Sequence, residues 1–110
     1  HSKFTPKNLH FTTAITKNNL DKLKGFDERY AIGMDYDDND FIMRVNRLNL
    51  EIVNIDDPFS LHLHHFSSYT NFIIDGKAYS PNDLRIINLN VFNKAKGESL
   101  VTAEWNEFYD

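Results

Sequence analysis

His62 and His64 are the residues of this chain whose type and spacing best suit chemistry. On an extended strand, side chains two apart leave the same face with their backbones about 6.5–7 Å apart. Two imidazoles so placed can converge on one metal ion, with His10 or an aspartate on the same side completing the ligand set. His65 falls on the opposite face. The competing reading, a pair of half-exposed strand histidines, is favoured because no second shell or cofactor-specific spacing accompanies the pair. No cofactor is expected.

The acidic run Asp35, Asp37, Asp38, Asn39 and Asp40 is the second cluster. It has the outline of a calcium loop, but Asp40 stands where the sixth-position glycine belongs and Asn46 where the twelfth-position glutamate belongs. Asp and Asn satisfy their own turn backbones, so the run reads as a solvated hairpin tip. Clustered carboxylates there would speed and orient docking on a Lys/Arg-rich partner. The third cluster is aromatic. Trp105 reads as core, whereas Phe108 and Tyr109 divide between a terminal core plug and a contact patch. No nucleophile elbow, Gly-rich phosphate loop or His-Glu helix motif occurs, and the four glycines are dispersed, so an enzyme is not expected.

The elements that must position these residues are read from the rhythm of apolar positions. The stretch from Phe41 to Ile55 and the run Phe59–Phe66 alternate apolar and polar residues at period two, the pattern of half-buried strands. Phe41, Met43 and Val45 share one face and Leu48, Leu50 and Ile52 the other, which predicts a bulge near Asn46-Arg47. Further strands are predicted at residues 8–15, 29–36, 84–92 and 99–105. Asp75-Gly76, between Asn71–Ile74 and Lys77–Tyr79, is the strongest hairpin signal. Ser80-Pro81-Asn82-Asp83 predicts a turn or a helix start. One short helix is predicted near residues 17–24, capped by Thr16 and closed by Gly25.

Composition bounds the rest. One domain over residues 1–110 is expected, with residues 1–6 a flexible or tag-derived N-terminus. Nine Phe, five Tyr and one Trp can fill a small core although the apolar fraction is only 41%. The chain has no cysteine, which excludes thiolate zinc sites and disulfides and favours the cytoplasm. No apolar run approaches the roughly 18–20 residues of a membrane span. A net charge of −4 with scattered Lys and Arg disfavours direct nucleic-acid binding.

The expected fold is mainly β (a β-rich α+β domain), an antiparallel sandwich or partly open barrel of about six to eight strands. The expected function is a non-enzymatic protein-binding module: a small acidic inhibitor, immunity or accessory protein of phage or mobile-element type, occluding a basic partner surface. The partner-binding residues would be Asp35, Asp37, Asp38, Asn39, Asp40, Phe108 and Tyr109. The alternatives are a metal- or ligand-binding barrel using His62 and His64 with His10, and a self-assembling structural component. The sequence leaves the oligomeric state open.

Overall fold

The computed structural model describes residues 12–55, 57, 63 and 71–103. These residues form α1 (Lys17–Leu23), a 3-10 turn (Glu28–Tyr30), α2 (Asp37–Arg47), the strands β1 (Phe72–Ile74) and β2 (Lys77–Tyr79), and α3 (Pro81–Gly97). The two strands pair antiparallel as a hairpin, and no further strand occurs among the described residues. The fold is therefore a small helix-rich α+β arrangement, which overturns the expected β-sandwich or barrel.

Where the sequence carries cap chemistry, the elements lie where the caps direct. Thr16 Oγ1 accepts the Asn19 amide at 3.3 Å, and α1 closes through Lys24 and Gly25, both left-handed. The amides of Lys24 and Gly25 return to the carbonyls of Asp21 and Leu20, satisfying groups the helix leaves open. The hairpin turns on Asp75 (φ 51°) and Gly76 (φ 76°), the pair of positive φ values that a two-residue turn between right-twisted strands demands.

Two of the expected strands are helices. Residues 37–47, read as a hairpin tip running into a long strand, form α2. The expected bulge near Asn46-Arg47 is instead the end of that helix. Asn49 turns left-handed (φ 57°), its amide reaches Asn46 O, and the Leu50 amide reaches Val45 O, a Schellman close. Residues 84–92 belong to α3, which continues past the end of the expected strand to Gly97. Its start is a full capping box: Ser80 Oγ accepts the Asp83 amide at 3.1 Å, and Asp83 Oδ2 accepts the Ser80 amide at 2.9 Å. Pro81 stands at the first helical position, where its missing N–H costs nothing.

The predicted strand at residues 29–36 is the 3-10 turn and an irregular loop laid along α3. Thr12–Ile15 and Ser99–Ala103 are irregular, and the Phe59–Phe66 strand lies outside the described residues except for Leu63.

Leu23, Phe41 and Val45 form the apolar centre, with Ile15, Leu20, Leu48, Leu50 and Val101 packed around them. Phe26 stacks on Phe41 with ring centroids 4.7 Å apart. Beside this cluster, α2 and α3 run in the same direction. Arg85, early in α3, donates to Asp35 just ahead of α2 at 2.7 Å. At the far end, Arg47 donates to the carbonyls of Ala95, Lys96 and Leu100. Parallel neighbours set like helix poles side by side, which is unfavourable unless the ends are compensated. Acidic residues in both first turns and basic residues in both last turns supply that compensation.

Candidate functional site: the acidic end of the helix pair

The residues of the acidic run are held by two different constraints. Asp35 (φ 63°) and Tyr36 (φ 69°) are consecutive left-handed residues, a conformation costing about 1–2 kcal/mol for each non-glycine residue. The joint is held in place by α3. Asn88 Nδ2 donates to Asp35 O at 2.8 Å and to Tyr30 O at 3.2 Å, and the Met34 amide donates to Leu84 O at 3.1 Å. Tyr36 stacks on Phe92 with centroids 5.8 Å apart. Tyr36 then opens α2 without a side-chain cap, so the carboxylates of the first turn are what face the exposed amide dipoles.

From that joint the five predicted residues separate. Asp35, with its side chain 57% exposed, meets Arg85 at the surface. Asp37 and Asn39 are exposed and Asp38 is half-buried. Asp40 turns inward and is 1% exposed. Its Oδ2 accepts from Arg44 Nε at 2.8 Å and its Oδ1 from the Tyr30 hydroxyl at 3.2 Å, while Arg44 Nη1 donates to Leu23 O. Asp40 therefore ties α2 to α1 and the 3-10 turn instead of standing on a contact surface. The run is the start of a helix, not a hairpin tip. Its carboxylates diverge, and no group of three or more metal-ligating side chains occurs among the described residues.

The structure adds Asp83 to the acidic end. Hydrogen bonds from the Ser80 backbone and side chain hold the Asp83 carboxyl below its ordinary value, so it stays charged at lower pH than a free aspartate. Asp83 was detectable in the sequence as the fourth residue of Ser80-Pro81-Asn82-Asp83. Arg44, Tyr30 and Asn88, which fix the geometry, carried no such signal. At the opposite end of the helix pair stand Arg47, Lys94 and Lys96.

A second network secures the 3-10 turn. Arg29 pairs with the buried Asp27 at 2.9 Å and with Glu98 at 3.2 Å, which ties that turn to the end of α3. Asp27, through its hydrogen bond first and its charge second, holds the Arg29 guanidinium above its ordinary value, and Glu98 adds to this.

His10, His62 and His64, the predicted metal ligands, and Phe108 and Tyr109, the predicted aromatic contacts, lie outside the described residues. Among the described residues, no helix is long and apolar enough to cross a membrane. No protein-family model, curated protein or solved structure matches the chain.

Proposed function

We propose that this chain is a non-enzymatic protein-binding module of the cytoplasm, a small acidic inhibitor, immunity or accessory protein that covers a basic surface of its partner. The observation that supports this reading is the end of the helix pair, where Asp37 and Asp83 stand exposed at two neighbouring helix starts beside Asp35. Each helix start carries about half a positive charge, which one carboxylate outweighs, so the surface stays attractive to Lys and Arg. Carboxylates fixed on helix turns and a tethered joint lose little freedom on docking, and they steer encounter before contact.

Affinity capture from the native host, identified by mass spectrometry, is expected to return a basic protein that salt releases. Asp37→Asn with Asp38→Asn is expected to weaken capture of that protein by about tenfold. Neutral replacements are the right probe, because lysine in the first turn of α2 would also cost about 0.3–1 kcal/mol of stability per residue. Capture unchanged by the two substitutions would remove the acidic end from the reading.

A further inference from the structure

The start of α2 differs from the other helical starts. Thr16, Asp27 and Ser80 are extended residues (ψ 146°, 121° and 160°), and the side chain of each accepts an amide of the turn it opens. Tyr36 holds that place for α2 in the left-handed region (φ 69°, ψ −12°) with no side-chain cap, and Asp35 before it is left-handed too (φ 63°). Yet the next residue, Asp37, is an exposed aspartate, a side chain suited to the cap position. A start one residue later needs no new chemistry. The Asp40 amide, now bonded to Tyr36 O at 3.0 Å, would pass to the Asp37 carboxylate, and residues 35 and 36 would return to negative φ.

The present start is held from α3. Asn88 Nδ2 donates to Asp35 O, Arg85 pairs with the Asp35 carboxylate, and Tyr36 stacks on Phe92. Against these stand two left-handed residues, a missing cap, and Asn88 Oδ1, which is buried with no hydrogen-bond partner. The Arg85–Asp35 pair is exposed on both sides and so contributes little. Each side is a few small terms of similar size, the balance from which a two-state element is built. We propose that residues 35–37 are a latch with two positions. The engaged position, tied to α3, is the major state. In the released position Asp37 caps α2, and Asp35 and Tyr36 leave Asn88 and Phe92. The Met34 amide on Leu84 O is the fixed point of the movement. The latch sets what the acidic end displays, since capping turns the Asp37 carboxylate back onto the helix. It operates whether or not a partner docks there.

Amide relaxation dispersion on the full chain tests it, since that method detects exchange on the μs–ms scale. The amides of residues 35–38 and the Asn88 side-chain amide are expected to exchange together, with a minor population within about 0.1–10%. Asp35→Ala and Asp35→Gly both remove the Arg85 pair, but only alanine carries the left-handed cost. The ratio of released to engaged chains should therefore be about fivefold or more higher with alanine than with glycine. Asp37→Ala removes the cap of the released position and should lower its population by about fivefold, whereas Asp37→Asn, an equally good cap, should keep it. Because Asp37→Asn removes the charge and keeps the cap, the latch and charge-driven docking fail separately. Both positions are exposed, so the fold tolerates these replacements. Flat dispersion at residues 35–38 in both the wild type and Asp35→Ala overturns the proposal. So do equal populations with alanine and glycine at position 35, or exchange that Asp37→Ala leaves unchanged.

Discussion

Gly33 and Asn88 approach so closely that a Cβ on Gly33 would stand 2.1 Å from Asn88 Oδ1 and 2.7 Å from Leu84 O. The second contact is backbone inside α3 and cannot give way. Asn88 cannot easily swing aside either, since its amide nitrogen holds the carbonyls of Tyr30 and Asp35. Gly33→Ala is therefore expected to cost about 1–3 kcal/mol, the range of an overpacked core, and to lower the urea midpoint without changing its slope. Gly97→Ala is the contrasting case: nothing lies within 4 Å of its Cβ position and the residue ends α3, so alanine is expected to stabilise by about 0.5–1 kcal/mol.

The Asp40–Arg44 pair is buried on both sides, with side chains 1% and 2% exposed. Removing one member leaves an uncompensated charge in the core. Arg44→Met alone is expected to cost about 3–5 kcal/mol in urea denaturation. Arg44→Met with Asp40→Leu should recover part of that loss, because no charge is left unpaired, although the Tyr30 hydroxyl and the Leu23 carbonyl lose these partners. Losses that simply add across the double-mutant cycle would contradict a coupled pair.

Burial first, and the neighbouring charge of Asp40 second, hold the Tyr30 hydroxyl above its ordinary value. The folded chain thus keeps this proton when the unfolded chain has lost it. The stability this contributes is present in full below about pH 10, where the unfolded phenol ionises, and drains away as pH rises through the folded value. Thermal melts across the alkaline range should show that decline. Tyr30→Phe should lose about 1 kcal/mol at neutral pH with the Asp40 hydrogen bond, yet show a shallower alkaline decline. Equal alkaline slopes in the two proteins would refute the assignment.

Arg47 serves as an external cap for the end of α3 through its bonds to the carbonyls of Ala95, Lys96 and Leu100. Arg47→Ala is expected to cost about 1–2 kcal/mol. Amide exchange at residues 96–98 should accelerate while the first turn of α3 is unaffected. Arg47→Lys should restore only part, because an ammonium lacks the planar fork that reaches several oxygens at once.

What could be read from the sequence was what local chemistry encodes. Thr16 and Gly25 marked α1, Asp75-Gly76 marked the hairpin, and Ser80-Pro81 left a turn or a helix start open, of which the structure has the helix start. The bodies of α2 and α3 were hidden because polar residues occupy their inward faces. Asp40 and Arg44 in α2, and Asn88 in α3, sit where a 3.6-residue apolar pattern would place hydrophobic side chains. With those positions polar, Phe41, Met43 and Val45 looked like alternation, as did Ile87, Leu89 and Val91 with Asn88 and Asn90 between them. The acidic run was equally ambiguous, since Asp and Asn favour both turns and helix starts. Arg44 one turn on in α2, together with the distant partners Tyr30 and Arg85, decides which carboxylates turn inward and which remain on the surface.

The shared direction of α2 and α3 has an electrical consequence. Carboxylates at one end and Arg47, Lys94 and Lys96 at the other give the helix pair a permanent moment that a net charge of −4 does not express. In the field of any charged surface the chain feels a torque as well as a pull. That torque from the helix pair favours approach by one end, which biases orientation before first touch.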